Sequence, residues 1–461
     1  MQHHSGEIWG HPTGLVTLFF TEMWERFSYY GMRAILVLYL VSETKGHNPG
    51  LGWTHAEALA LYGWYTMAVY LASIPGGYLA DRYIGQKKAV LSGGLLLCAG
   101  HLLLAFNALW AFYTGLTFIV LGVGCLKPNI STMVGGLYQE GDYRRDSGFT
   151  IFYIGINLGA LLAGFLVGWI GETIGWHYGF ALAGFGMLLG QIVYIKGQKH
   201  LRNVGNPVSA TTVQKVSSPL NHVEKDRILV LLLSYLIIIV FFGAFEQAGG
   251  LMNLYAMEKV NRMVFGTEIP ASVFQSMNPL FILLFGGLVA SWWSGRRQKG
   301  KESSSLYKMA IGTIVMGAGF LLMSAASQEA SQNETGLASI HWLVGAYFLH
   351  TLGELCASPV ALSFITKLAP ARYASLMMGL FFAATGLGNK IAGLIGEQAA
   401  TAGELQIFNG IFIFCAIFGA GLLLFLKKLK TMTHGAEDEI ISIRKNPVSA
   451  VDSMQEEPAN I

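Results

Sequence analysis

Residues 19–33, FFTEMWERFSYYGMR, place Glu22, Glu25, Arg26 and Arg33 inside an otherwise apolar run from about Gly14 to Val41, with Tyr29 and Tyr30 between them. At about 100° per residue, Glu22, Arg26, Tyr29 and Arg33 share one helix face, with Glu25 at its edge. The stripe would stand about 16 Å tall at 1.5 Å per residue. A charge at the centre of a bilayer costs about 2.5–3.5 kcal/mol on the insertion scale. Such a stripe should therefore face protein or an aqueous cavity. Glu22 and Arg26 are spaced i, i+4 and could form a structural staple, but a staple needs neither Arg33 nor the tyrosines.

Four further charges fall in apolar surroundings: Lys127 in GVGCLKPNIS, Glu246 in FGAFEQAGG, Glu354 in HTLGELCASPV and Lys390 in GLGNKIAG. Together with the first segment they make four acids and four bases, a neutral sum that makes burial bearable. Gly124, Lys127 and Pro128 fall together in the fourth apolar segment, and Gly353, Glu354 and Pro359 in the tenth. These read as interrupted helices at matched positions of two halves, the best sequence pointer to a central binding site. One half offers a cation there and the other an anion, so a ligand charged oppositely at its two ends would fit. His101 and His350 are isolated in apolar segments, where packing or a single hydrogen bond accounts for them. Lys390 is either a snorkelling side chain or part of a gate.

The elements that must hold these groups follow from composition. Only 12% of the 461 residues are charged and 53% are hydrophobic, which suits a polytopic membrane protein and no soluble fold of this length. Twelve apolar segments can cross, at roughly 14–41, 57–80, 88–107, 110–137, 148–171, 177–195, 228–257, 272–294, 308–327, 340–367, 373–399 and 406–426. If both ends are cytoplasmic, 23 of the 30 Lys and Arg lie in cytoplasmic loops and tails and only Lys45, Lys259 and Arg262 lie outside, a bias that sets the orientation. The predicted organisation is an all-α membrane protein: a six-helix bundle over 1–196, a cytoplasmic linker over 197–226, a second six-helix bundle over 227–430, and a disordered cytoplasmic tail over 431–461. The net charge of +3 is small and no basic cluster is rich enough to suggest nucleic-acid binding, so no nucleic-acid partner is expected. Cys98, Cys125, Cys356 and Cys415 form neither a disulfide nor a zinc pattern. No H-E-x-x-H or P-loop is present, so neither metal nor other cofactor is expected, nor an enzyme. A cleaved signal peptide is not expected either, because the N-terminus lacks a basic region.

The run Glu22-Met-Trp-Glu25-Arg26-Phe27, followed by Tyr29-Tyr30-Gly31, resembles the ExxER signature of the proton-coupled oligopeptide transporters, a branch of the major facilitator superfamily. GGYLADRYIGQKKA (76–89) is similar to that family's signature between the second and third spans, and FTIFYIGINLGAL (149–161) to its fifth-span signature. The likeness extends over roughly residues 10–430. It implies a major-facilitator-like fold of twelve helices in the inner cell membrane, and import of di- and tripeptides by alternating access, driven by protons, with a monomer as the unit. It further implies that Arg33 and Lys127 hold the peptide carboxylate. Glu354, helped by Asn157 and Asn278, would receive the amino group. Tyr29, Tyr30, Tyr70 and Ser358 would line the pocket. Glu22, Glu25 and Arg26 would couple proton binding to the conformational change, and Glu246 would exchange between Arg33 and Lys127 as gates move. Many bacterial members insert two extra helices between the halves, and the linker here has no room for them.

The chemistry suits such ligands. Short peptides share only a backbone and two charged ends, so a broad carrier should read the ends and leave space between them. Arg33 offers a planar fork of donors and Lys127 a compact charge; Asn157 and Asn278 can donate or accept. Two rival readings are a carrier of nitrate or another small anion, which Glu354 argues against, and a non-transporting peptide sensor. Asp81 and Arg82, in the loop after the second span, fit a tight glycine turn or a gate. The Asn333-Glu334-Thr335 sequon falls in an outer loop.

Overall fold

The computed structural model describes residues 6–8, 10–139, 142, 144–201, 204–206, 220–370 and 373–436. Twelve long helices are found among them. The first half holds α1 (Thr13–Val41), α2 (His55–Leu79), α3 (Gln86–Leu104), α4 (Leu109–Gly136), α5 (Arg144–Thr173) and α6 (Trp176–Leu201). The second holds α7 (His222–Lys259), α8 (Ala271–Gln298), α9 (Ser305–Gln332), α10 (Ile340–Leu368), α11 (Ala374–Ala402) and α12 (Glu404–Thr431). Ten of them are long and apolar enough to cross a membrane on length and composition. The other two are α1, with its four charges, and α2, diluted by tyrosines and a tryptophan. The chain is a multi-pass membrane protein.

Local chemistry sets the helix ends. Thr54 and Asn221 each open a helix through a reciprocal capping box, with Glu57 and Glu224 reaching back to the cap backbone. After α2 the chain makes a π turn over Ala80–Ile84 and then reverses at Gly85, whose φ of 77° favours glycine. Arg82 donates to the Tyr78 hydroxyl at 3.1 Å in that turn. Residues 202–203 and 207–219 of the predicted linker, and all of the tail beyond residue 436, lie outside the described residues.

In the first half α1 packs on α5 and α6, and α3 on α4 and α6; in the second, α9 packs on α10 and α12, and α7 on α11. Two seams join the halves, α2 with α11 and α5 with α8. Replacing each helix by the one six places away turns one seam into the other, as expected of repeated halves.

The seams differ in extent. Along α2 and α11, Gly63 meets Gly393, Gly386 meets Met67 and Tyr70, and Gly379 lies near Ile74. A Cβ on Gly63 would sit 3.0 Å from the Gly393 Cα, so only glycine permits this approach. Along α5 and α8, Gly164 and Gly168 abut Ser276 and Ser272. These four residues all lie toward the face opposite the one where α1 begins and α12 ends. We call these the distal and terminal faces.

α4 and α10 run unbroken through Pro128 and Pro359, contrary to the interruptions predicted there. The Gly124 carbonyl, freed of its helical donor by Pro128, faces Gly76 of α2, and Asn129 donates its side-chain amide to the Cys125 carbonyl at 2.7 Å. Both helices thus continue through their prolines without a break. The irregular turns occur elsewhere: a π turn at Gly164–Gly168 in α5 and a 3-10 turn at Glu246–Ala248 in α7.

Candidate functional site between the bundles

Gly249 and Gly250 follow the α7 turn directly, and their lack of side chains lets Tyr62 and Leu59 of α2 come against the backbone. This places Glu246 at the junction of the halves. Its two carboxylate oxygens each accept from Arg33 Nη1 at 3.1 Å, and Oε2 also accepts from the Tyr62 hydroxyl at 2.9 Å. Glu246 is only 3% exposed, and a charge so enclosed needs such partners. The Arg33 guanidinium also lies over the Tyr30 ring, 4.8 Å from its centroid.

More bonds join the halves toward the distal face. Asn253 donates to the Ala34 carbonyl at 2.8 Å, and Ser276 Oγ to the Leu161 carbonyl at 2.8 Å. Glu172 of α5 accepts from the backbone N–H groups of Ala271 and Ser272 at 3.0 and 2.7 Å, and from the Ser272 hydroxyl. His55 meets Glu258 at 2.9 Å. The cleft is therefore shut on its distal side.

Below Arg33 toward the terminal face, a cavity of about 900 Å³, partly continuous with solvent, separates α1 and α5 from α7, α8 and α10. Five predicted residues line it: Tyr30, Arg33, Asn157, Asn278 and Glu354. Glu354 Oε2 accepts from Asn278 Nδ2 at 2.7 Å, and Asn278 also donates to Thr351 Oγ1 at 3.2 Å, so the acid is oriented from a neighbouring helix. Asn157 donates to the Tyr153 carbonyl one turn earlier at 2.9 Å, leaving its carbonyl oxygen available. Tyr153, Gln275 and Tyr347 also line the cavity and were not singled out from sequence. Tyr153 stands one turn from Asn157, which was the available signal; nothing in the sequence distinguished Gln275 or Tyr347.

The remaining predicted residues lie around this cavity rather than on its wall. Lys127 Nζ sits over the Tyr70 ring, 3.9 Å from its centroid. Tyr29 is buried, its ring edge-on to Tyr30, and Ser358 Oγ is enclosed in α10. Glu22, Glu25 and Arg26 form a tight cluster. Arg26 Nε donates to Glu22 Oε1 at 2.7 Å and Arg26 Nη2 lies 2.7 Å from the same oxygen, while Glu25 Oε2 lies 3.1 Å from Arg26 Nε. All three are buried, with two acids against one base. Lys390, 8% exposed, pairs with Glu397 at 3.3 Å and covers the Trp64 ring of α2 at 4.8 Å. His101 is held by Ser28 at 2.6 Å.

An Arg and a Glu thus stand on opposite walls of one cavity whose distal side is shut. The model of the POT family matches residues 87–223 and 204–407. The chain belongs to the POT family. This member is a transporter, not an enzyme, with the major-facilitator-like fold. It is 37% identical to the peptide transporter YePEPT of Yersinia enterocolitica, over 89% of this chain and 92% of that one. It is 34% identical to a di-/tripeptide transporter of Lactococcus lactis, over 91% and 96%. A mutant of the peptide transporter POT, solved by crystallography in complex with alafosfalin, superposes with a TM-score of 0.85 at 34% identity, covering 93% of this chain and 97% of that one.

Proposed function

We propose that this POT member imports di- and tripeptides across the cell membrane by proton symport, acting as a monomer with both ends in the cytoplasm. The observation that carries the reading is the opposed pair on one cavity: Arg33 on α1 and Glu354 on α10. A zwitterion laid between them would set its carboxylate toward Arg33 and its ammonium toward Glu354, with Asn157 and Asn278 reaching the backbone between. Relatives named as peptide transporters, and one bound to alafosfalin, support that ligand class. A nitrate carrier has no use for Glu354, and Asn278 holds that acid toward the cavity.

The shut distal side supports an inward-facing state, with the terminal face cytoplasmic as the distribution of Lys and Arg favours. Lys127 joins the carboxylate site, and Glu246 passes from Arg33 to Lys127, only when the halves rearrange, since here Lys127 rests on Tyr70. A neutral zwitterion draws no energy from the membrane potential, whereas each cotransported proton gains about 2.3 kcal/mol per 100 mV. Glu22 and Glu25 share one guanidinium. A proton taken up by either leaves a neutral pair that tolerates burial, and so links proton binding to the shape of α1.

The test is uptake into liposomes holding the purified protein, with an inward proton gradient. Labelled dialanine should accumulate uphill, be competed by tripeptide and be indifferent to free alanine and nitrate. Competition by nitrate would favour the anion carrier; binding without accumulation would favour a sensor.

A further inference from the structure

On the terminal face of the second bundle, three side chains able to ligate a metal come together. His222 and Asp226 lie one turn apart at the start of α7, and the i, i+4 spacing puts both on one helix face. His434 comes from the turn that follows α12, 208 positions beyond Asp226. His434 Nε2 lies 2.7 Å and His222 Nε2 3.4 Å from the same oxygen, Asp226 Oδ2. The ligand atoms of the three all lie within 4.8 Å of one another, and no other such group occurs among the described residues. The two imidazole rings meet edge to face, with centroids 5.6 Å apart.

The turn is held in place independently of this cluster. Arg227 donates from Nε to the Thr433 carbonyl at 3.1 Å and from Nη2 to the His434 carbonyl at 3.5 Å. Leu429 and Ala436, on either side of His434, belong to one apolar cluster with Val230 of α7. His434 itself takes a φ of 49°, the left-handed region that a residue with a Cβ enters at a cost, and from there its ring reaches Asp226. Contacts this open to solvent contribute little as ion pairs, so stability alone is a weak reason to gather two imidazoles on one carboxylate oxygen. A shared metal is a stronger one. Four-coordinate Zn²⁺, with bonds of about 2.0–2.1 Å, holds its ligand atoms about 3.3 Å apart, and two imidazoles, a carboxylate and a water complete such a set. The separations of 2.7 and 3.4 Å bracket that spacing. No metal-binding motif announces the group, because its third member arrives from so distant a segment.

We propose that His222, Asp226 and His434 form a binding site for Zn²⁺ or a divalent transition cation of its class, which clasps the turn beyond α12 to the start of α7. The site is separate from the transport cavity and does not depend on the identity of the transported solute.

The test uses the full-length protein without an affinity tag, stripped by a chelator and held in a neutral detergent. Calorimetric titration with Zn²⁺ should show binding that the His434→Gln variant weakens by more than about tenfold, the least that loss of even a ligand's supporting partner costs. The His222 side chain is 81% exposed, so His222→Gln leaves the fold untouched and should weaken Zn²⁺ binding to a similar degree. His47→Gln, at an exposed histidine on the distal face, should bind as the parent protein does. Mg²⁺, which prefers oxygen ligands, should not bind at the same concentration. Co²⁺ bound in place of Zn²⁺ should show the strong visible absorption of four-coordinate cobalt. Saturating Zn²⁺ should also raise the Tm by roughly 2–5 °C, a gain that both His variants lose. Zn²⁺ bound equally well by the parent protein and by both His222→Gln and His434→Gln, or the pale spectrum of hydrated Co²⁺, would overturn the site. Equal binding of Mg²⁺ would overturn its assignment to a transition cation.

Discussion

Replacing Glu246 by Gln removes the charge on which the distal closure centres while keeping the side chain's size. In the closed state the carboxylate takes both contacts from a single Arg33 nitrogen, at 3.1 Å each, plus the Tyr62 hydroxyl at 2.9 Å. Counting the Arg33 pair as one charge-assisted interaction, and leaving the Tyr62 bond to the amide, the loss is about 2–3 kcal/mol. All of it falls on the distally closed state, because the pair spans the two halves and must part when they separate. The ratio of outward-open to closed protein should then rise about 30- to 150-fold. From a minor population of about 1%, that brings the outward-open form to roughly 25–60%. Spin labels at Lys45 and Met263, on distal loops of opposite halves, read this directly as a second, longer distance in double electron–electron resonance. A distribution identical to that of the unsubstituted protein, with unchanged peptide exchange, would show that the closure does not rest on this pair.

Glu354→Gln should raise the KM for dialanine about 10- to 150-fold and abolish discrimination against N-acetylated dialanine; equal KM values for the variant and the parent protein on both peptides would remove Glu354 from the ammonium site. Glu22→Gln and Glu25→Gln should retain peptide counterflow yet lose accumulation driven by a pH gradient, and uphill uptake at the parent level in both would dismiss them as the proton-linked acids. Gly393→Leu forces a side chain against Gly63, where a Cβ alone would already approach the Gly63 Cα to 2.8 Å. It should cost about 1–3 kcal/mol and lower the Tm by several degrees, measured by intrinsic fluorescence; an unchanged Tm would mean that the seam can part without loss.

The twelve helices were legible because apolar runs separated by glycine, proline and charge leave little choice of element. The linker was drawn too long, since α6 continues to Leu201 and α7 starts at His222 behind its Asn221 cap; polar sequence hid two helix ends. The charges on the cavity wall were legible too, because Arg33 and Glu354 are costly in lipid and therefore conspicuous. Tyr62 and Gln275 were not. A tyrosine in an apolar helix is common, and its bond to Glu246 joins residues 184 positions apart. The prolines misled: Pro128 and Pro359 suggested breaks, whereas the turn that matters sits at Glu246, beside two glycines that allow α2 to come near.

The unequal seams bear on how cargo leaves. With α2 and α11 zipped by glycines from one end to the other and α5 and α8 fastened only at the top, the halves part like a door hung on one side. A bound solute would slip out past Tyr153 and Ile282, near the free edge, and not straight down the middle. The reach of that edge, rather than the distance between the two charged anchors, would then decide how long a peptide the carrier accepts.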